Sequence, residues 1–358
     1  MIYQTIIRFR WFLLSSIALL FCWILILIIL FDPTGLKPEG INQQVKITIP
    51  NELKLIFEKK RNEFLDYQPS KLTLLAHRLR MKQQDEFHLE LLDTLTSASK
   101  FEEKYNHAYP IFQNDEGYVF VLEKESSAQL EGERHRDQLL CAFAEADVPI
   151  STRLDGHFKS FSIDDLIGGC RYRGALGQEL EWTIVALCQY CSGPVKWENK
   201  FGESISLEIL VTYLLDQSPD TACFGAHRLY AMACSLHANK NSPGLLSNRV
   251  ASKVKKELQM ACFSLLKHQS EQGFLPPVSS TYGSGKPYSN TKLSLNTRIS
   301  VTGHNLEWLY KAQEFVDVDS TCVRRAIIYL ILKSNDVQIT DENFAGFSHA
   351  INGLSKWL

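Results

Sequence analysis

The chain has 358 residues with 38 Lys and Arg against 40 Asp and Glu, a formal net charge of −2. So balanced a charge supplies no extended cationic field, which excludes nucleic acid as a partner. The length suits one large domain or two ordinary ones, and a core of that size needs no disulfides, so the cysteines outside residues 11–31 read mainly as buried apolar residues.

From Trp11 to Phe31 the sequence is WFLLSSIALLFCWILILIILF, uncharged between Arg10 and Asp32. As a helix it would be about 31 Å long, matching a hydrocarbon core of roughly 30 Å. It is expected to be a transmembrane helix and a retained signal anchor, with the lipid bilayer as partner. Arg8 and Arg10 precede it and Asp32 follows. By the positive-inside tendency, residues 1–10 form a cytoplasmic tail and the rest lies outside the cytoplasm, giving a single-pass membrane localisation.

Residues 32–50 are polar and punctuated by Pro and Gly, as in a linker. Residues 51–148 read as an N-terminal helical region. Asn51 to Phe64 is amphipathic, and Ser70 to Leu95 repeats Leu72, Leu75, Leu79, Phe87 and Leu92 near helical spacing. The basic cluster His77, Arg78, Arg80, Lys82 reads as a solvated helix face, with anionic headgroups as the alternative contact. Gly117 to Glu123 (GYVFVLE) is the best strand candidate and looks isolated, and Ser127 to Ala146 reads as a further helix.

Residues 149–358 carry helical patterns at a nearly regular beat, beginning near Ser162, Gln178, Ser204, Ala222, Ser247, Thr302, Ser320 and Phe347. Ser162, Ser204 and Ser247 are candidate N-caps. Segments such as LEILVTYLL (207–215) are apolar on more than one face and belong between neighbours. Phe274 to Thr297, rich in Pro, Gly and Ser, reads as a long loop. The fold class expected is all-α: a membrane helix followed by helical hairpins.

In LLKHQSEQGF (265–274) a helix ends in Gln, Gly and an aromatic, with a weaker echo in LCQYCSGPVKW (187–197), and the chain closes with FSHAINGLSKW (347–357). These stretches resemble the repeats of terpenoid cyclase and prenyltransferase α/α toroids, over about residues 150–358. The resemblance implies a toroid-like ring of hairpins, with the six-hairpin glycosidase ring a near neighbour, and an isoprenoid-handling activity. The matching motifs are incomplete. The cyclase acid motif D-x-D-D is represented only by Asp164 and Asp165, and the prenyltransferase zinc set only by Asp220, Cys223 and His349 at unsuitable spacing. Neither a metal nor a cofactor is expected.

Polar residues at helix ends are the natural lining of such a ring. In TGHNLEW, His304 and Glu307 share a face in what reads as a first turn, followed by Trp308. His227 falls on the face of Cys223, Tyr230 and Cys234, and GQELEW puts Glu181 and Trp182 at a helix start. Glu307, His304 and Glu181 are the catalytic candidates, and His227, Trp308, Trp182 and His349 the ligand-binding ones. Each also has a structural explanation: Trp308 packed with a hydrogen-bonded His304, His227 as a satisfied core residue, Glu181 complementing the helix dipole. Cys188 and Cys191 form a lone C-x-x-C, and no P-loop, G-x-S-x-G or H-E-x-x-H occurs. The function expected is a binding or envelope-associated module facing a glycan or envelope protein. The alternatives are a carbohydrate-active hydrolase or lyase with paired carboxylates and an isoprenoid-handling enzyme.

Overall fold

Apolar residues spaced three and four apart make this chain helical. The structure, a computed structural model, describes residues 45–69, 71–81, 86–123, 133–282 and 293–358. In chain order it contains α1 (Asn51–Asp66), α2 (Leu72–Leu79), α3 (Glu86–Leu95), α4 (Ala98–Tyr105), β1 (Ile111–Gln113), β2 (Val119–Val121) and α5 (Gln138–Glu145). There follow β3 (Arg153–Asp155), β4 (Ser160–Ser162), α6 (Ile163–Arg173), α7 (Glu181–Tyr190), β5 (Lys196–Glu198), β6 (Ser204–Ser206) and α8 (Leu207–Asp216). A 3-10 turn (Ala222–Gly225) leads into α9 (Ala226–Asn241), then α10 (Asn248–Lys267), α11 (Val278–Thr281), α12 (Leu295–Ala312), α13 (Ser320–Asn335) and α14 (Asp341–Trp357). The described residues fall within one compact unit, Gln44–Leu358.

Six of these helices form a closed succession. Helix α2 packs on α5, α5 on α7, α7 on α9, α9 on α12, α12 on α14, and α14 back on α2. The remaining long helices pack outside it: α6 on α5, α8 on α7 and α9, α10 on α9, α13 on α12 and α14, α1 on α13 and α14. The sequence sorts them. In α10 the buried residues Val250, Val254, Leu258, Ala261, Cys262 and Leu265 form one stripe, as an outer helix requires. By contrast α5 buries every residue from Gln138 to Ala144, and α9 buries nearly all of its first thirteen. Such helices need neighbours on all sides.

Two hairpins aim outer helices. β3 and β4 pair antiparallel and run into α6, whose start is closed by the reciprocal Ser162–Asp165 capping box; β5 and β6 run into α8, where the Ser206 hydroxyl accepts from the Ile209 amide. Asp164 and Asp165 are thus first-turn residues of α6, and the cap expected at Ser204 is Ser206.

Several expectations are corrected. Among the described residues no helix is long and apolar enough to cross a membrane, which overturns the single-pass membrane localisation; the run 11–31 on which it rested lies outside the described residues. The helix expected over 70–95 is two, α2 and α3. His77, Arg78 and Arg80 are buried, so they form neither a solvated face nor a headgroup contact. The strand at 119–121 is not isolated but pairs with β1. Helices α12 and α14 begin seven and six residues before the expected starts, so His304, Glu307 and His349 sit mid-helix. The loop expected from Phe274 contains α11 and buries Phe274, Leu275 and Val278.

The most extensive helix contact, α12 on α14, depends on glycine. A Cβ at Gly303 would lie 2.4 Å from the Ala350 nitrogen and 2.7 Å from the His349 carbonyl carbon, and one at Gly353 would lie 3.0 Å from the Gly303 oxygen. Backbone cannot retreat as a side chain can. Gly303→Ala is therefore expected to destabilise the fold by about 2 kcal/mol or more. Gly168→Ala, in α6 with open space around the added methyl, is expected to be neutral or to stabilise by up to about 1 kcal/mol. Thermal unfolding of the two variants checks both.

Candidate functional site

The six packed helices and their leading turns bring polar side chains to one buried cluster. His77 comes from α2, His135 from the turn before α5, Trp182 from the first turn of α7, His227 from the first turn of α9, His304 from α12 and His349 from α14. Five of the chain's ten histidines meet here. Ring centroids are 3.5 Å apart for His304 and His349, 4.9 Å for His227 and His304, 5.8 Å for His227 and His349, and 4.8 Å for His77 and His349. On the other side of His227 stand His135 at 5.0 Å and Trp182 at 4.5 Å.

The partners divide the imidazoles into kinds. His349 donates from Nδ1 to Glu307 Oε2 (2.6 Å), which leaves Nε2 with its lone pair. His135 repeats the arrangement with Glu179 Oε1 at 2.6 Å. His77 Nε2 accepts from the Gln138 amide at 3.0 Å. His227 is 3 % exposed, and neither of its ring nitrogens has a hydrogen-bond partner. An unmade bond on a buried polar atom costs about 1–3 kcal/mol. His227 therefore asks for an explanation that packing does not supply.

Beneath the imidazoles lies a buried ionic layer. The Arg80 guanidinium sits 4.5 Å over the Trp182 ring, donates from Nε to Glu145, and stands 3.6 Å from Glu307. Tyr230 donates its hydroxyl to the other oxygen of Glu145, and Asn352 donates to Glu307. Burial alone would pull the Arg80 pKa down, but Glu145 and Glu307 outweigh it and raise the value. Burial likewise pushes Glu145 up, yet Arg80, Lys356 and its two hydrogen bonds hold it below the ordinary carboxylate range. Farther along, where the C-terminal ends of α5, α7, α9, α12 and α14 gather, a cavity of about 500 Å³ is lined by residues including Arg80, Glu145, Lys311, Asn352 and Lys356.

Burial first, then the neighbouring imidazoles and Arg80, pushes His77, His227 and His349 well below the usual histidine value. His304 falls to about 4, burial outweighing the opposing pull of Glu307. These rings are neutral at physiological pH, the state in which imidazole binds metal. Ligand atoms of His227, His304 and His349 lie within 4.8 Å of one another, as do those of His135, Cys223 and His227. Around a tetrahedral zinc with bonds of about 2.0–2.1 Å, ligand nitrogens lie roughly 3.3 Å apart, so modest side-chain closure would complete either set. No family model, no curated protein and no solved structure matches the chain.

Of the residues singled out in the sequence, Glu307, His304, His227, His349 and Trp182 are brought together. Glu181 is buried, but its Oε2 accepts from the Leu180 amide at 3.0 Å and so closes its own helix start. Trp308 belongs to another network: its Nε1 donates to Asn305 Oδ1 at 2.9 Å, and Asn305 donates to the Pro276 carbonyl. Of the incomplete zinc set, Cys223 and His349 both approach His227, and Asp220 joins neither convergence. Cys188 and Cys191 are free thiols. Sequence reasoning missed Arg80 and His77, placed in a surface cluster, and His135, Glu145 and Asn352. Their signal was weak: His77 and Arg80 lie in a basic run that reads as a surface, and His135, Glu145 and Asn352 fall singly on separate parts of the chain.

The lowered histidine values fix the sign of a pH dependence. Below an unfolded value near 6.5 the unfolded chain takes up protons that the folded rings refuse, so stability is present above that pH and lost as pH falls toward the folded values. In chelator-treated protein, Tm is expected to drop by several degrees between pH 7.5 and 5.5. A His304→Phe variant, lacking one such ring, should show a shallower slope in the same scans.

Proposed function

We propose that the chain is a metal-binding helical module, in which His227, His304 and His349 hold a divalent transition-metal cation of the zinc class. The observation that carries the reading is the convergence of three buried, neutral imidazoles from three helices around His227, whose nitrogens are otherwise unsatisfied. A cation would supply the missing partner. The donor set suits zinc, with cobalt, nickel or copper as chemical relatives. The Glu307–His349 hydrogen bond supports it further, because a carboxylate on the remote ring nitrogen fixes the tautomer and strengthens the ligand. A buried cluster of this kind between packed helices is the usual location of a bundle metal site.

The closed succession of six helices with others packed outside supports an α/α toroid-like reading of the fold, and the resemblance to terpenoid cyclases and prenyltransferases extends no further than that architecture. The hydrolase alternative needs two available carboxylates. Glu307 is committed to His349 and Asn352, and Glu181 to its own helix start. The binding-module reading therefore remains the best supported, with a metal as its ligand.

Element analysis of the full chain, produced with zinc present and dialysed against a matched buffer, tests the proposal. Bound zinc at about stoichiometric level, a Tm that falls on chelation and recovers with zinc, and at least tenfold weaker binding in His304→Ala are expected. Glu307→Gln should weaken zinc by about 10–100-fold. A protein without zinc above the buffer control, whose Tm ignores both chelator and zinc, would overturn the assignment.

A further inference from the structure

His227 belongs to two convergences. The first is the imidazole triad; the second comprises His135, Cys223 and His227, whose ligand atoms again lie within 4.8 Å of one another. The two sets are built alike. Each contains a histidine whose Nδ1 is held by a carboxylate at 2.6 Å, Glu307 for His349 and Glu179 for His135. Between them stands His227 with both nitrogens unpartnered. An imidazole has two nitrogens on separate edges, so one ring can serve two cations.

The backbone at Cys223 is independently unusual. Cys223, Phe224 and Gly225 have successive φ values of 50°, 61° and 82°. Glycine adopts this region freely, but for the two preceding residues it is strained. Gly225 is required there, since a Cβ would lie 2.2 Å from the Pro219 carbonyl oxygen. The strain does not serve burial of Phe224, which remains 41 % exposed. What it accomplishes is to hold the Cys223 thiol beside His227 and His135.

We propose a second cation site formed by Cys223, His135 and His227, so that His227 is the shared ligand of a two-metal centre. The proposal deepens the metal reading given above, but its two private ligands are separate from the triad. The set of one sulfur and two nitrogens selects a thiophilic borderline cation such as zinc. Filling the site releases the Cys223 thiol proton to solvent, and with both sites filled His227 also gives up its remaining ring proton and binds as imidazolate. Nothing is oxidised or reduced. Cys223 and His135 are partly exposed where the triad is buried, so this cation is the more readily exchanged of the two.

Cobalt titration of the metal-free full chain tests the arrangement, because a thiolate bound to cobalt gives a near-ultraviolet charge-transfer band that imidazole does not. Two equivalents and a thiolate band are expected in the wild type. Cys223→Ser should keep one equivalent and lose the band, His135→Ala should weaken the band-producing equivalent at least tenfold, and His304→Ala should keep the band while losing the other equivalent. A wild-type band that persists in Cys223→Ser comes from another thiol and would overturn the proposal, as would a single equivalent without a band. A single equivalent whose band disappears in Cys223→Ser but survives in His304→Ala would instead sink the imidazole-only centre and leave the cysteine site standing alone. Circular dichroism of each variant separates loss of ligation from loss of fold.

Discussion

A guanidinium without water is the constraint around which this structure is arranged. Arg80 is almost fully enclosed at the end of a short helix, and removing such an ion from solvent is unfavourable by several kcal/mol unless its surroundings answer it. The answer comes from four other helices: Glu145 from α5, the face of Trp182 from α7, Glu307 from α12, and through Glu145 the Tyr230 hydroxyl of α9. Each contact ties a different member of the helical succession to α2. The hydrophobic core makes the helices stick together; the ionic layer determines how they are rotated. An apolar stripe tolerates some sliding, whereas a buried charge pair does not.

That layer also links two regions that would otherwise be independent. Glu307 turns one oxygen to His349 in the imidazole cluster and the other toward Asn352 and Arg80, both of which line the cavity at the opposite helix ends. A single carboxylate is therefore shared between cluster and cavity.

The helical character was legible because periodicity is local. α10 announces itself through a stripe repeated over five turns, and Ser162 and Ser247 serve as the caps that their sequence context suggests. Part of the site was legible for the same reason: His304 and Glu307 stand three apart on one face, and His227 stood out in an apolar run. What the sequence concealed was assembly. His77 and Arg80 lie in a run of basic residues that resembles a water-facing surface, and only the contact of α2 with α5 and α14 turns them inward. His135 escaped because it stands in the turn before α5, and no spacing links it to the histidines of the helices. The starts of α12 and α14 were placed too late, near Thr302 and Phe347, beside Gly303 and Gly346, where the two helices approach each other.

Those glycines have a bearing on chemistry as well as packing. Gly303 immediately precedes His304, and the backbone it touches is that of His349 and Ala350. The two rings lie 3.5 Å apart, centroid to centroid, because nothing occupies the space where a methyl group would have been. The close approach of the two imidazoles thus depends on a dimension of the backbone. Under the metal reading proposed above, selection for a particular ion radius would act on position 303, a residue outside the ligand set.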